Sequence, residues 1–516
     1  WHVVGEGGAE SRFEAAHTGE FSRFVGREHE LGLVRERWEL AKGDEGQVVL
    51  LTGEAGIGKS RMVQALRDAI GEEPHFRLRY QCSPYHTNSA FHPIIQRLER
   101  AAGFIADDDT GSRLDKLEAL LRPSSNDIAT DAPLFAALLS LPGEKRYGAL
   151  ELSPQQQRDR IVEALIGQIV ELSRQRPILF LLEDAHWIDP TTEALIGETM
   201  MRIAELPVLM LITYRPEYTP PWAGLANLTM ITLNRLSREH CAEIVQGVGG
   251  DELAARVTAQ IIARADGVPL FVEELTRSLL ESDEAEIPAS LQASLVARLD
   301  RLGDVGRVAQ LAATLGKSFH YRFIQAVGDF DKSELDRALA AMTVAGLLLQ
   351  SGISEDARYT FRHALIQDAA YETLLRSTRQ HYHGKVAEVL LQDFADQAAT
   401  EPELVARHLS LARLPERAVE YWLLAGQRAG ERSEHIEAIA NLENGLRELE
   451  RLSESQFRDE REFDLRIALG ASLLTVKGWS APNVEENYER AQELSEHAGD
   501  VRKLFAALRG LLNVFL

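Results

Sequence analysis

Eight consecutive residues near the start of the chain have the composition of a loop that binds phosphate. They run from Gly53 to Ser60 and read Gly-Glu-Ala-Gly-Ile-Gly-Lys-Ser, which fits the pattern G-x-x-x-x-G-K-S/T. Glycines let the backbone curl so that several N–H groups point at one phosphate, and a following helix adds the positive end of its dipole. We expect Lys59 to reach the β- and γ-phosphates and the Ser60 hydroxyl to bind Mg²⁺. The predicted nucleotide-binding residues of this stretch are Gly53, Glu54, Ala55, Gly56, Ile57, Gly58, Lys59, Ser60 and Arg61.

The residues on either side of this loop decide between a phosphate site and a chance match in a glycine-rich turn. Before it, Val48-Val49-Leu50-Leu51 is a short apolar run typical of a buried parallel strand. After it, Met62, Leu66 and Ile70 recur every four residues, as on one face of a helix. A strand before the loop and a helix after it are the context that the motif requires, so we favour the phosphate site.

Two carboxylates follow a second apolar run. Residues 178–182 read Ile-Leu-Phe-Leu-Leu, and Glu183 and Asp184 come next. Phosphoryl transfer needs one acid to hold Mg²⁺ and one residue to orient the attacking water, so we predict that both acids are catalytic and bind the metal. The sequence does not fix which acid has which role. The alternative is an ordinary strand end with acidic caps, which the nearby phosphate loop disfavours.

A third apolar run, residues 208–212, ends in Thr213-Tyr214-Arg215. Ligands of open α/β sheets bind at the carboxyl ends of the strands, so Arg215 is predicted to contact the γ-phosphate and sense hydrolysis. The alternative is a surface arginine before Pro216. For His186 we favour packing or hydrogen bonding over metal binding.

Composition narrows the class of protein. The chain has 516 residues, too many for one core, and a net charge of −23 that disfavours nucleic acid and anionic membranes as partners. Cys82 and Cys241 have no metal-ligand spacing, which fits a reducing cytoplasm. No apolar run is long enough to span a membrane. Because residue 1 is Trp and the chain stops in an apolar helical edge, we expect it to be a piece of a longer protein.

Strands that alternate with helices up to about residue 236 predict a parallel sheet with helices on both faces. Beyond that point the pattern is helical, apart from a possible hairpin near Gly352 to Phe361. Small residues at regular spacing, as in Ala425-Gly426, suggest stacked helical hairpins after residue 385. The predicted divisions are a linker (1–20), a nucleotide-binding domain (21–236), a helical lid (237–286), a fourth unit (287–380) and helical repeats (385–516).

Several motifs together resemble the P-loop ATPases called STAND (signal-transduction ATPases with numerous domains), whose ATPase module is AAA-like. The segments that carry the resemblance are Phe24–Glu28 (FVGRE), Leu182–Pro190, Thr213–Pro216, Gly267–Leu275, Ile287–Leu302 and Phe361–Asp368. The resemblance implies that residues 287–380 form a winged helix and that Gly267-Val268-Pro269 packs the lid on adenine. It also implies that Val25, Arg27, Pro269 and His363 contact the nucleotide. Residues 418–422 and 438–442 resemble tetratricopeptide repeats, with a loosely kept consensus.

The resemblance extends to bacterial proteins that carry a class III adenylate/guanylate cyclase before this module, because Glu10–Ala15 is similar to their linker. Related proteins carry a LuxR-type DNA-binding tail. Two departures matter: Glu183 stands where many members have Asp, and no Met-His-Asp triplet surrounds His363. The resemblance implies a cytoplasmic, slowly hydrolysing ATP/ADP and Mg²⁺ switch that responds to a protein or small-molecule signal at its repeats. It also implies a nucleotide-dependent oligomer.

Two other functions stay open at this stage. One is a non-enzymatic scaffold that binds nucleotide structurally and partners through its repeats. The other is a transcriptional regulator of LuxR type, which the absence of a basic stripe in residues 287–375 disfavours. ATP is preferred over GTP because the sequence has no recognisable N-K-x-D element.

Overall fold

The computed structural model describes most of the chain beyond residue 23. The described ranges are 24–105, 107–125, 127–222, 224–250, 253–280, 290–301, 305–352, 357–478 and 481–515. The predicted linker, the segment Glu10–Ala15 and the dipeptide Ile287-Pro288 lie outside the described residues.

The first part of the chain is an α/β domain built on a five-stranded parallel sheet with the order β2-β3-β4-β1-β5. This confirms the predicted fold class. Its elements are α1 (Glu28–Lys42), β1 (Gln47–Thr52), α2 (Lys59–Ile70), β2 (Phe76–Gln81), α3 (His92–Ala102), α4 (Thr110–Leu121), α5 (Ile128–Leu138), α6 (Glu144–Tyr147), α7 (Pro154–Ser173), β3 (Ile178–Glu183), a 3-10 turn (Ala185–Trp187), α8 (Pro190–Arg202), β4 (Val208–Tyr214) and β5 (Leu228–Thr232).

The central strands carry continuous apolar runs because both faces of the sheet are covered. On β3, Phe180 and Leu182 enter the core beneath α3–α8, whereas Leu179 and Leu181 enter the core beneath α1 and α2. Strands β1 and β4 alternate between these two cores in the same way. Full burial of one such side chain stabilises the fold by about 2 kcal/mol. The sheet therefore holds its carboxyl edge, where the predicted site residues lie, on a rigid base.

Two smaller units follow the sheet. The first is helical, and the second joins helices to a three-stranded antiparallel sheet of order β6-β8-β7. The helical unit contains α9 (Arg238–Gly249), α10 (Ala255–Ala265) and α11 (Pro269–Leu280). The second, which we call the mixed unit, contains α12 (Leu291–Arg301), α13 (Val305–Leu315), β6 (Ser318–His320), α14 (Tyr321–Val327), α15 (Lys332–Val344), β7 (Leu348–Ser351), β8 (Arg358–Phe361) and α16 (Ala364–Glu372). The pairing of β7 with β8 confirms the predicted hairpin.

The rest of the described chain is an array of helices, each packed on the next, as the small-residue spacing indicates. At Gly426 a Cβ atom would lie 2.3 Å from Leu442 Cγ, so only glycine permits this approach of two helices. The array consists of α17 (Arg376–Gln392), α18 (Ala395–Thr400), α19 (Pro402–Leu411), α20 (Pro415–Glu431), α21 (His435–Leu449), α22 (Gln456–Lys477), α23 (Pro482–Ala498) and α24 (Val501–Phe515). None of the helices in the described ranges combines the length and apolarity needed to cross a bilayer.

The helical array also contacts the α/β domain directly. The Thr191 amide, in the first turn of α8, donates to Glu437 Oε1 at 2.8 Å. The Ser89 hydroxyl, before α3, donates to Glu403 Oε1 at 2.6 Å. Thr191 and Ser89 lie in the segments that follow β3 and β2, so the array touches the same edge of the sheet as the predicted site residues.

Candidate nucleotide site

The predicted phosphate loop lies between β1 and α2, the strand and helix that the sequence predicts. Gly56 has φ +78° and Gly58 has φ +107°, a backbone region that favours glycine. A Cβ atom at Gly58 would meet nothing within 4 Å, so the space beside the first turn of α2 is open. Ser60 is exposed in that turn. The loop thus presents the amino end of a 12-residue helix to an open space, the arrangement that binds phosphate.

The Lys59 ammonium is held by the loop itself. Its Nζ donates to the carbonyl oxygens of Gly53 at 2.6 Å and Glu54 at 3.0 Å. Burial lowers the pKa of Lys59 to about 8; the charge of Asp184 opposes this shift and the charge of Arg215 adds to it. Lys59 is therefore close to both of these predicted site residues.

The lowered pKa of Lys59 predicts that nucleotide binding takes up a proton at high pH. Without nucleotide, the amine is charged below about pH 8 and mostly neutral at about pH 9. The phosphates of the nucleotide favour the charged form of Lys59. Nucleotide binding at about pH 9 should therefore take up close to one proton per site, whereas binding at about pH 7 should take up very little. Calorimetry in two buffers of different ionisation enthalpy measures this uptake. Equal apparent enthalpies in both buffers at the higher pH would contradict the prediction.

The two predicted acids have different surroundings. Glu183 is buried, and its two carboxylate oxygens accept from Arg79: Nε to Oε1 at 2.9 Å and Nη2 to Oε2 at 3.0 Å. Arg79 lies on β2, the strand that pairs with β3. This two-bond geometry links neighbouring strands.

Asp184 sits at the turn beyond β3 in a left-handed conformation, with φ +58°. Its amide donates to Thr213 Oγ1 at 3.1 Å. Its Oδ2 accepts from Gln81 Nε2 at 3.1 Å and from Lys317 Nζ at 3.2 Å. The charge of Asp184 partly offsets the lowering of the Lys59 pKa. This acid therefore lies near the phosphate loop.

Arg215 lies at the same edge, with its guanidinium carbon 5.2 Å from the centre of the Trp187 ring. Its charge acts on both Lys59 and Asp368 of α16. The neighbouring His186 packs its ring at 4.2 Å from that of Trp187, which fits the packing role predicted for it. Burial, aided by Arg215 and Lys59, lowers the pKa of His186 to about 3, so its imidazole is neutral.

The segment that includes Pro269 touches the phosphate loop. Pro269 is the first residue of α11, and the next amide, that of Leu270, donates to the Gly56 carbonyl at 3.3 Å. A Cβ atom at Gly56 would lie 3.2 Å from Leu270 Cβ. The helical unit is thus in contact with the loop, as expected of a lid.

The remaining predicted site residues have partners of their own in the structure. Val25 is buried in the core of the helical unit, and Arg27 donates to the Asn234 carbonyl. The Arg61 guanidinium lies 5.6 Å from the centre of the Phe24 ring. His363 directly precedes α16. Contact of these residues with a nucleotide stays a prediction.

Sequence reasoning did not identify four further residues at this edge: Arg79, Gln81, Lys317 and Asp368. Arg79 and Gln81 are two residues apart and therefore lie on the same face of β2. They reach Glu183 and Asp184 only through the pairing of β2 with β3. The alternating arginines of Phe76-Arg77-Leu78-Arg79-Tyr80 were a usable signal, because a partly buried charge on a strand needs a partner. Lys317 and Asp368 carry no such local signal.

Comparison with known proteins gives a family for the first part of the chain. Residues 23–212 match the model of the AAA ATPase domain family. The chain therefore contains an AAA-type ATPase module. It is 30% identical over 514 residues to an uncharacterized protein of Rhizobium meliloti (strain 1021), covering 96% of this chain and 49% of that protein. The chain thus spans about half the length of this curated relative.

Solved structures resemble the chain more distantly. One is a STAND protein with a tetratricopeptide repeat sensor from Pyrococcus horikoshii, with TM-score 0.45 and 13% identity over 97% of this chain and 68% of that one. Another is the ORC1 protein of Aeropyrum pernix in complex with DNA, with TM-score 0.35 and 14% identity over 70% of this chain and 96% of that one.

Proposed function

We propose that this chain binds ATP with Mg²⁺, hydrolyses it slowly and acts as a signal-transduction switch within a larger multidomain protein. The observation that carries the proposal is the grouping of Lys59, Asp184 and Arg215 at the carboxyl edge of one parallel sheet, beside an open helix amino end. A cation in the phosphate loop after β1, an arginine after the neighbouring strand β4 and an acid after β3 are the parts that phosphoryl transfer needs.

The residues present fit the nucleotide and the metal. Open space beside Gly58, the amides of the first turn of α2 and the Lys59 ammonium suit a chain of phosphates. The exposed Ser60 hydroxyl and the Asp184 carboxylate are oxygen ligands of the kind that Mg²⁺ takes. Glu183 is less suited to this role because both of its oxygens accept from Arg79. Of the two acids, we therefore assign the metal and water side to Asp184.

Bound Mg²⁺ neutralises charge that develops on the transferring phosphate. The side chains and amides of the protein contribute by positioning the phosphates and the attacking water. Lys59 and the loop amides hold the phosphates, and Asp184 accepts a hydrogen bond from the attacking water through a carboxylate oxygen. The water oxygen attacks the γ-phosphorus, the bond to the bridging oxygen breaks, and ADP and phosphate leave. Arg215 contacts the γ-phosphate and senses its loss.

A switch needs two states that nucleotide tells apart. A shift from mostly closed to mostly open needs about 5.5 kcal/mol of differential binding. The site offers a route for it, since the lid contacts Gly56 and the mixed unit contacts Asp184. In this account the mixed unit is the winged helix, with His363 near the β-phosphate. The tetratricopeptide-like array receives a protein or small-molecule signal, and nucleotide exchange governs assembly.

The wider context is also part of the proposal. The 30% identity with a relative about twice as long supports the proposal that this chain is part of a larger protein. The resemblance of residues 10–15 to the linker of cyclase fusions favours an adenylate or guanylate cyclase domain upstream. We expect a cytoplasmic location. A LuxR-type regulator and a purely structural nucleotide site are the alternatives.

Phosphate release from ATP by the purified chain separates the switch from the scaffold. We expect turnover slower than about 1 per second, since a switch must dwell in each state, and loss of turnover when Mg²⁺ is removed with a chelator. Single-turnover assays with radiolabelled ATP measure both. ATP that stays bound and intact in the presence of Mg²⁺ would favour the scaffold.

A further inference from the structure

A lysine from the mixed unit lies against the acid of the nucleotide site. Lys317 directly precedes β6 and is only 8% exposed. Its Nζ lies 3.2 Å from Asp184 Oδ2, although the two residues are 133 positions apart. A buried lysine needs a partner for its charge, and here the partner is the carboxylate assigned to Mg²⁺ and water.

The backbone around Lys317 is fixed by contacts with both units. Its carbonyl accepts from the Phe361 amide at 2.8 Å, which ties it to the strand β8. The preceding Gly316 has φ +120°, and a Cβ atom there would lie 3.2 Å from the ring of Tyr85. Tyr85 comes from the α/β domain, between β2 and α3, and its hydroxyl lies 3.5 Å from Gln367 Nε2 of α16. Close packing between the mixed unit and the α/β domain therefore positions Lys317 at the site.

A second attraction between opposite charges, longer in range than the Lys317–Asp184 contact, acts across the same interface. Burial raises the pKa of Asp368 on α16, and the charge of Arg215 opposes that rise, so the two side chains are near each other. Here the mixed unit provides the acid and the sheet edge provides the base, the reverse of the Lys317–Asp184 pair. Both partners on the α/β domain are residues that the proposed function uses.

We propose that Lys317 is a positioning residue that competes with Mg²⁺ and the attacking water for Asp184. The Lys317 ammonium lies 3.2 Å from Oδ2 of Asp184. A divalent cation bound to that oxygen would be repelled by this second positive charge. The site can then reach its hydrolytic arrangement only when the mixed unit moves Lys317 away. Contact of the mixed unit thus restrains hydrolysis. The inference rests on the proposed role of Asp184.

Variants at Lys317 test this competition through the Mg²⁺ dependence of ATP binding, measured by equilibrium titration with a fluorescent ATP analogue, and through the Mg²⁺ dependence of ATP turnover. Lys317→Ala should lower the half-saturating free Mg²⁺ concentration by about tenfold and raise turnover several-fold, since it removes one competing charge. Lys317→Arg should behave like the wild type because it keeps the charge. The matched control is Lys385→Ala. Lys385 lies on α17, the first helix of the array, and pairs with Asp329 of the mixed unit, away from the site. Lys317→Met, which keeps the apolar stem, covers the case that the alanine variant is poorly folded.

Three outcomes would overturn the inference. If Lys317→Ala and Lys317→Met leave the Mg²⁺ dependence unchanged, Lys317 does not compete. If they lower turnover and Lys317→Arg restores it, Lys317 is instead a catalytic cation. If Lys385→Ala has the same effect as Lys317→Ala, the effect is not specific to the contact. Failure of the proposed function has a different signature, because the wild type itself would then show no Mg²⁺-dependent turnover.

Discussion

Asp184→Asn should slow ATP hydrolysis by about 10²–10³-fold while leaving ATP affinity within a few-fold of wild type. The amide keeps the size of the side chain but loses the charge that orients water and binds metal. Loss of the same charge leaves the buried Lys317 without its ion pair, so the melting temperature should fall and both effects are measured per folded molecule. Single-turnover phosphate release and equilibrium binding of a fluorescent ATP analogue measure the two effects.

Glu183→Gln is the matched control for this variant, one residue earlier in the chain. It leaves the partly buried Arg79 opposite a neutral group, so we expect a lower melting temperature. Turnover per folded molecule should change far less than in Asp184→Asn. The reverse result, with hydrolysis lost in Glu183→Gln and kept in Asp184→Asn, would exchange the roles of the two acids.

Much of the sheet could be predicted because its central strands are apolar on both faces. The runs at β1, β3 and β4 are continuous, a pattern typical of a parallel strand that is covered on both faces. Strand β5 escaped prediction. Its sequence, Leu-Thr-Met-Ile-Thr, lies at the edge of the sheet, where Met230 is 61% exposed and only Ile231 is buried in a core. Edge strands bury one face at most, so their pattern is weak.

The difference between the two acids could not be predicted from the sequence. Glu183 and Asp184 are adjacent and chemically alike, and the side chains that donate to their carboxylates lie more than a hundred positions away. The register of β2 against β3 brings Arg79 to one acid and Gln81 to the other. Position at a strand end can be inferred from one segment, but the partner of a side chain depends on which strands are neighbours.

The contacts of the mixed unit were beyond sequence reasoning for a related reason. The motif near Phe361–Asp368 drew attention to His363, whereas the charges that face the nucleotide site come from Asp368 and from Lys317. Lys317 stands in Leu-Gly-Lys-Ser-Phe, a stretch with no catalytic pattern. Its importance follows only from how two folded units meet.

Lys59→Ala is expected to weaken binding of both ATP and ADP by more than about 100-fold. The ammonium is the main positive charge in the loop, and a charge-assisted contact with phosphate in a partly buried site is worth about 3 kcal/mol or more. Lys59 also holds the carbonyls of Gly53 and Glu54, so its loss loosens the loop as well. A melting curve checks that the variant is folded. Lys42→Ala is the matched control, since Lys42 pairs with Glu73 outside the site.

Equilibrium titration of Mg²⁺–ATP into wild type, Lys59→Ala and Lys42→Ala tests the central claim, that residues 53–60 form a phosphate site, most directly. The account predicts one saturable site in the wild type, the same site in Lys42→Ala, and no saturation of folded Lys59→Ala over the same range. Equal affinity for all three proteins would contradict it, because ATP would then bind somewhere other than the loop.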